Sequence, residues 1–282
     1  MMPSSGYFLC CIERTGSNFL AQALGGTGLA GRPVEYFNPA EQEKGWMRDI
    51  LGNSTMVEGL PKILSAGTTP NGWFGAKVHW GHFRFLGMSI TGEWDDSQRA
   101  APYELLRSRL PELLSQAAAW ELLRSRFSDL SAQRAAYARL RSWLPDLRVI
   151  WLRRQNMVAR AISLFRARQT GIWYQPLSKN SAAPGNRVQN FDFAEVHILY
   201  SLGGFQEELL QRFFQENDIS PHSVVYEELV TDYEPTVRRV LEFLQIKAEQ
   251  AFIPPPSSLK QSDALSEEWE ERYRKLSAEA GL

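Results

Sequence analysis

The turn at residues 14–18, with the sequence Arg-Thr-Gly-Ser-Asn, has residue types that suit the binding of an anion. An apolar run over residues 7–12 leads into this turn, and apolar residues resume with helical spacing after it. A buried strand that passes through a glycine-containing turn into a helix points several backbone N–H groups, and the positive end of the helix dipole, at one place. The turn therefore predicts a site for a phosphate or sulfate group.

The pattern of this turn differs from that of a nucleoside-triphosphate P-loop. That loop needs two glycines and a lysine in the order Gly-x-x-x-x-Gly-Lys-[Ser/Thr], whereas here a single glycine follows Arg14. The difference argues against kinases and GTPases. The turn resembles instead the 5′-phosphosulfate-binding loop of sulfotransferases. For the turn alone, the alternative is an ordinary helix start with Ser17 as the N-cap.

A second segment places a carboxylate close behind the turn. Residues 31–39 read Gly-Arg-Pro-Val-Glu-Tyr-Phe-Asn-Pro, so that Glu35 stands among aromatic residues. With both segments, the sequence resembles the trehalose 2-sulfotransferase family of the Stf-zero type, whose members carry an Arg-Thr-Gly-Ser loop followed by Gly-x-Pro-x-Glu-[Tyr/Phe]-Phe. The resemblance returns at residues 74–80, 151–173 and 225–229. It therefore covers both ends and the middle of the chain.

The pattern of apolar runs predicts an α/β fold. Buried strands are expected at residues 7–12, 74–80, 147–152 and 223–226, and helical stretches at 103–143, 157–168, 193–214 and 233–244, the first of them broken near Pro111. Strands that alternate with helices favour parallel βαβ units. We therefore expect a parallel central sheet flanked by helices, and the resemblance implies a P-loop-like sulfotransferase fold.

Length and composition favour one domain over residues 1–282. A chain that is 44% hydrophobic and 12% aromatic can bury a full α/β core, and its sequence contains no repeat and no linker rich in Pro, Gly or Ser. Residues 84–146 are longer than a simple crossover needs, so they are expected to form a helical insertion with a packing or acceptor-side role. The net charge of −1 argues against binding to nucleic acid or to a membrane surface.

Other features of the sequence bear on metal binding and location. Cys10 and Cys11 are adjacent in the first predicted strand, where they are expected to be buried core residues. The four histidines lack the spacing of metal ligands, so a metal-independent reaction is expected. The sequence has neither a signal-type start nor an apolar run of about 18 residues. We therefore expect a soluble, cytoplasmic protein without an integral membrane segment, and a homodimer is the general expectation.

The resemblance implies 3′-phosphoadenosine-5′-phosphosulfate as the donor cosubstrate, with its phosphosulfate in the turn and its 3′-phosphate near the end of the third strand. Which arginine holds the 3′-phosphate stays open, because Gln155 stands eight residues before Ser163, where many sulfotransferases have arginine. The alternative is that Arg153 and Arg154 are surface residues at the end of the strand and bind no phosphate. Lys260 is a candidate for a further contact with the nucleotide, but it could equally be a solvated lysine before a terminal helix. The residues implied to bind the donor are Arg14, Thr15, Gly16, Ser17, Asn18, Arg153, Arg154, Ser163 and Lys260.

The expected reaction is an in-line attack of an acceptor hydroxyl on sulfur while the phosphate leaves. Arg14 and the amides of the turn would stabilise the leaving oxygen, with Arg14 as an electrostatic clamp because arginine stays charged. The resemblance implies Glu35 as the general base. We expect its pKa to be raised toward neutrality by a partly apolar setting. The alternative is that Glu35 caps the next segment or pairs with an arginine.

The sequence leaves the acceptor open. The resemblance implies a sugar such as trehalose, but a glycolipid head group or another small alcohol is also compatible, and Trp173 and Tyr174 are candidate walls for a sugar. Two other functions stay open. One is an unusual phosphate-handling enzyme such as a kinase, which would need Mg²⁺ and ATP. The other is a nucleotide- or sugar-binding protein without catalytic activity.

Overall fold

The computed structural model describes residues 2–93, 101–109, 116–173, 189–247, 251–256 and 263–282. Four strands form one sheet in which every pair is parallel, in the order β2-β1-β3-β4. Each lies within two residues of its predicted range, so the predicted parallel α/β sheet is confirmed. The strands are β1 (Ser5–Cys11), β2 (Trp73–His79), β3 (Leu147–Arg153) and β4 (His222–Val225).

Helices fill most of the chain between the strands. The predicted helices at 157–168, 193–214 and 233–244 are confirmed, and the predicted break near Pro111 lies outside the described residues. Among the helices that the structure describes, none is long and apolar enough to cross a membrane. The helices are α1 (Ser17–Gly26), α2 (Gly45–Leu51), α3 (Leu60–Ala66), α4 (Trp80–Thr91), α5 (Ala101–Arg109), α6 (Gln116–Phe127), α7 (Ser131–Arg141), α8 (Met157–Thr170), α9 (Phe193–Glu216), α10 (Tyr226–Thr231), α11 (Tyr233–Phe243) and α12 (Ala264–Glu279).

Successive side chains of the central strand β1 enter two different cores, because strand side chains alternate between the faces of a sheet. Phe8 and Cys10 pack in a core that contains residues of α4, α7 and α9. Leu9 and Cys11 pack in a second core with residues of α1 and α11. Both cysteines are buried and free, as predicted. The sheet is therefore covered by helices on both faces, and its strand ends remain as the place for a site.

The strand register brings the carboxyl ends of the strands to one edge of the sheet. Cys11 at the end of β1 pairs with His79 at the end of β2, and Arg153 at the end of β3 pairs with Val225 at the end of β4. In open parallel sheets, ligands bind outside this edge. The turn at residues 14–18 follows β1 and therefore lies at its centre.

A buried arginine forms hydrogen bonds that connect the residue before this turn to helices α8 and α9. Arg160 of α8 is 1% exposed and donates hydrogen bonds to the backbone oxygen of Glu13, at 3.3 Å, and to that of Leu199 in α9. The Arg160 side chain fills the space next to Gly203, where an added Cβ would lie 1.9 Å from Nη2. The position of the turn is thus fixed by packing between α8 and α9 as well as by β1.

Candidate functional site

A cavity of about 1890 Å³ opens at the carboxyl edge of the sheet. It exceeds the roughly 300–1000 Å³ of a site for one drug-sized ligand, so that two ligands can occupy it together. The turn at residues 14–18 lies between its two sides. The β3 side is lined by Arg154, Ser163, Arg166 and Tyr226, and the β2 side by Glu35, Lys77, His79, His82 and Arg84.

The backbone of the turn is left-handed at two positions, Arg14 with a φ of 66° and Gly16. Gly16 has a φ of 84° and is the N-cap of α1, so the helix begins at Ser17 and the alternative of Ser17 as N-cap is wrong. A Cβ at Gly16 would also lie 2.3 Å from Cδ2 of Tyr226. The first N–H groups of a helix have no acceptor within the helix. Those of Ser17 and Asn18 are therefore available to an anion, and both residues line the cavity.

Thr15 stabilises the turn through a buried hydrogen bond to the backbone. Its side chain is fully buried, and its hydroxyl donates a hydrogen bond of 2.9 Å to the backbone oxygen of Ile12. The hydroxyl is thus engaged in the fold of the turn. A contact of Thr15 with a bound anion would have to come from its backbone N–H.

Arg14 extends from the turn to the β3 side of the cavity. Its Nε donates to Oγ of Ser163 at 2.9 Å, and its Nη1 donates to the backbone oxygen of Trp173 at 2.5 Å. Arg154 is close by, since its Nη1 donates to the backbone oxygen of Arg14 at 3.1 Å. Burial, followed by the nearby charge of Arg154, lowers the pKa of Arg14 to about 10. Two guanidinium groups that line one side of the cavity, near enough for the charge of Arg154 to act on Arg14, favour the binding of an anion.

Arg153 is the last residue of β3 and Arg154 is the first residue after it, and their side chains point in different directions. Arg154 lines the cavity and lies 4.8 Å from the ring centre of Tyr226. Arg153 is exposed, contacts Glu207 at 3.3 Å and lies outside the lining that the described residues form. The structure therefore brings Arg14, Arg154 and Ser163 together and directs Arg153 elsewhere. Lys260 and Tyr174 lie outside the described residues.

The C-terminal helix closes the β3 side. Arg166 of α8 donates from Nη2 to Oδ2 of Asp263 at 2.9 Å, and Asp263 is the N-cap of α12. The hydrogen bond from Arg166 holds the pKa of Asp263 at about 2, so this pair is ionised at neutral pH. Arg166 and Asp263 both line the cavity. A ligand on this side therefore contacts α8 and α12 at once.

Glu35 lies at the β2 side with both carboxylate oxygens engaged. Its Oε1 forms an ion pair of 2.7 Å with Nζ of Lys77, and its Oε2 accepts a hydrogen bond of 2.7 Å from Nδ2 of Asn38. The backbone N–H of Lys77 donates to the oxygen of Val34, which attaches this segment to the edge of β2. The Glu35 side chain is 20% exposed. It is therefore held in one orientation and still faces the cavity.

The predicted rise in the pKa of Glu35 is wrong. Burial alone would raise it, but His79, Lys77 and His82 together lower it, and the pKa lies well below its ordinary value. Burial lowers the pKa of His79 to about 4 and that of His82 to about 3, so both rings are neutral at pH 7. At neutral pH the cation that stabilises the carboxylate is therefore Lys77. Glu35 pairs with a lysine instead of the arginine considered from the sequence.

Sequence reasoning did not assign roles to Lys77 and Tyr226. Lys77 is 4% exposed, and its ammonium donates to Oδ1 of Asn18 as well as contacting Glu35. The signal in the sequence is a charged residue within the apolar strand β2, because lysine is almost never buried without a partner. Tyr226 lies in the segment 225–229 that resembles the family, but its packing against Gly16 depends on the pairing of β3 with β4 and is not visible in the sequence.

Helices from the predicted insertion form part of the wall of the β2 side. Arg84 of α4 lies 5.6 Å from the ring centre of Phe127 in α6, and Tyr103 of α5 also lines the cavity. Trp173, which is 49% exposed, lines the cavity between the two sides. Within the described ranges, no three His, Cys, Asp or Glu side chains lie together in the manner of a metal site.

Comparisons with known proteins point to one family. The family model described as Stf0 sulphotransferase matches residues 6–92 and 107–276. The trehalose 2-sulfotransferase of Mycolicibacterium smegmatis is 28% identical over 300 residues, covering 99% of this chain and 97% of the relative. The trehalose 2-sulfotransferase of Mycobacterium tuberculosis is 25% identical over 304 residues, covering 98% and 97%. The matches thus include both sides of the cavity.

Proposed function

Because the chain belongs to the Stf0 sulphotransferase family, we propose that it transfers a sulfuryl group from 3′-phosphoadenosine-5′-phosphosulfate to a hydroxyl of a carbohydrate or glycolipid. The observation that carries the proposal is the position of the Glu35 carboxylate, which faces the same cavity as the anion-binding turn. A base and an anion site that share one cavity can hold an acceptor and a donor against each other.

The β3 side has the chemistry that the donor requires. Arg14, Arg154 and Ser163 supply charge and hydrogen bonds for the 3′-phosphate, and arginine suits planar, bidentate contacts with phosphate. Phe19 and Tyr226 line the cavity next to the turn and offer aromatic faces to a purine ring. Lys260 remains a candidate for a contact from the segment before α12.

In the proposed reaction, the acceptor oxygen forms a bond to sulfur while the bond from sulfur to the bridging phosphate oxygen breaks. The turn amides and Arg14 stabilise the negative charge on the leaving oxygen. Glu35 accepts the hydroxyl proton at a carboxylate oxygen. A carboxylate with a low pKa is a weak base, but the acceptor oxygen becomes strongly acidic as its bond to sulfur forms. Proton transfer therefore follows most of that bond formation. In this proposal Arg14 and the turn amides stabilise the charge of the leaving group without a metal ion.

The acceptor is placed by the β2 side. Two relatives that share about a quarter of their residues with this chain are named for sulfation of trehalose at position 2. Tyr103, Phe127 and Trp173 line the same cavity as the base and provide faces for sugar rings. We propose a trehalose-like disaccharide as the first acceptor to test, with glycolipids that carry such a head group as the second.

The decisive first experiment is a thermal-shift measurement with 3′-phosphoadenosine 5′-phosphate against ATP plus Mg²⁺. A ligand that binds only the folded protein raises its melting temperature. We expect stabilisation by the 3′-phosphorylated nucleotide, followed by transfer of label from ³⁵S-labelled donor to trehalose or a related sugar. A larger shift with ATP and Mg²⁺ would favour the phosphoryl-transfer alternative. Nucleotide binding without transfer to any sugar would favour a binding protein without catalytic activity.

A further inference from the structure

Lys77 is a buried cation that links the β2 side of the cavity to the anion-binding turn. Its Nζ lies 2.7 Å from Oε1 of Glu35 on one side and donates to Oδ1 of Asn18 on the other. Asn18 is the second residue of α1, next to the amides of the anion-binding turn. The ammonium is therefore one hydrogen bond away from the carboxylate and one hydrogen bond away from the turn.

The charges around Glu35 leave this cation as its main counter-charge. The titratable groups around the carboxylate are Lys77 and His79 from β2, His82 from α4 and Cys11 from β1. Burial raises the pKa of the Cys11 thiol to about 12, so it is neutral. The stacked rings of His79 and His82, 4.7 Å apart, are neutral at pH 7 because burial disfavours their charged forms. From α1, Asn18 and Ser17 contribute only neutral groups. The amide of Asn38 also contributes no net charge.

We propose that Lys77 is a positioning residue that holds Glu35 as an oriented carboxylate and transfers its electrostatic pairing from Glu35 to the sulfuryl group during the reaction. The inference rests on the proposed sulfuryl transfer. An ammonium has three N–H donors, and Glu35 and Asn18 take two of them. Among the described residues the third has no acceptor, and Lys77 lines the cavity.

The change of partner follows from charge balance. When the acceptor O–H bond breaks, its proton neutralises Glu35, and a buried ammonium without a counter-charge is strongly unfavourable. In the same step the O–S bond forms and the S–O bond to phosphate breaks, with its electron pair leaving on the phosphate. The sulfuryl group carries one negative charge in the donor and keeps it in the new sulfate ester, while the charge that Glu35 loses appears on the leaving phosphate. Transfer to the acceptor oxygen therefore moves the sulfuryl charge next to Glu35. That charge replaces the carboxylate as the partner of Lys77, so proton transfer and sulfuryl transfer favour each other.

The test compares three variants in the full chain. Lys77→Met removes the charge, Lys77→Arg keeps it, and Lys62→Met removes a lysine whose Nζ instead donates to the backbone oxygen of Leu51. The measurement is the pH dependence of kcat with ³⁵S-labelled donor, together with binding of 3′-phosphoadenosine 5′-phosphate. We expect Lys77→Met to move the acid limb of kcat upward by about 1–3 pH units, as loss of an adjacent opposite charge does. Lys77→Arg and Lys62→Met should leave the limb in place.

The outcomes separate this inference from the proposed function. A limb at the same pH in Lys77→Met and in the wild type, with nucleotide binding retained, would overturn the role of Lys77 while leaving sulfuryl transfer intact. No transfer by the wild type would overturn the proposed function. If Lys77→Met does not fold, the Glu35 carboxyl is titrated by ¹³C NMR in the wild type and identified by its loss in Glu35→Gln. A carboxyl that titrates at or above its ordinary pKa of about 4.3 would then refute the pairing.

Discussion

Gly16→Ala tests whether the shape of the turn controls nucleotide binding. Alanine at a φ of 84° costs about 1 kcal/mol through its backbone. Its Cβ would in addition lie 2.3 Å from the Tyr226 ring, which must then move by about 1.2 Å to reach ordinary contact. Such overpacking costs about 1–3 kcal/mol. The moved ring also disturbs Arg154, which lies 4.8 Å from its centre.

Gly28→Ala is the matched control for this substitution. Gly28 has a φ of 68°, and no described heavy atom lies within 4 Å of the position of an added Cβ. It therefore carries the backbone cost without the collision. For a chain of 282 residues, about 2 °C of melting temperature corresponds to 1 kcal/mol.

We expect a loss of about 2 °C for Gly28→Ala and about 4–8 °C for Gly16→Ala. Calorimetry with 3′-phosphoadenosine 5′-phosphate should show at least tenfold weaker binding for Gly16→Ala and less than a twofold change for the control. Equal losses of melting temperature and affinity in the two variants would refute the argument that Tyr226 and Gly16 shape the site together.

The other predictions concern the base, the 3′-phosphate and pH. Glu35→Gln should lower kcat at least 100-fold in the labelled-donor assay and leave nucleotide affinity within twofold in calorimetry. Arg154→Ala should weaken binding of 3′-phosphoadenosine 5′-phosphate at least tenfold more than that of its 3′-dephospho analogue, whereas Arg153→Ala should leave the ratio unchanged. Between pH 6.5 and pH 4, His79 and His82 bind protons in the unfolded chain but stay neutral in the folded chain. The free energy of unfolding should therefore fall as the pH falls through this range, by up to about 1.4 kcal/mol per pH unit for each ring. Urea denaturation at pH 7 and pH 5 measures this fall, and an equally steep fall in His82→Gln would contradict it.

The parallel sheet and the family could be predicted because their signals are local. Each strand is a short apolar run bounded by polar or turn residues, so its position is visible in the sequence within two residues. The turn at residues 14–18 and the segment that contains Glu35 are continuous motifs, and the family that they resemble is confirmed. The single-domain organisation, the cytoplasmic location, the homodimer and the roles of the site residues stay predictions.

The electrostatics of the base could not be predicted because they depend on a contact between distant residues. The aromatic neighbours of Glu35 suggested an apolar setting, whereas the attachment of Val34 to the edge of β2 brings the ammonium of Lys77 against the carboxylate. The choice between Arg153 and Arg154 has a similar origin. The two residues stand at the end of β3, and only the folded structure shows that Arg154, just after the strand, faces the cavity.

The strand order β2-β1-β3-β4 gives this architecture a modular character. Apart from Trp173, which follows α8, the residues proposed to meet the acceptor belong to β2 and the segments around it, on one flank of β1. Those proposed to meet the nucleotide belong to the turn after β1 with the start of α1, and to β3, β4 and their helices on the other flank. Substitutions on the first flank at positions other than Lys77, whose ammonium donates to Asn18, need not touch the residues of the second. Descendants of one such chain can thus diversify in the alcohols that they modify while they inherit an unchanged donor, and exchange of segments 31–46 and 79–127 is the corresponding route for redesign.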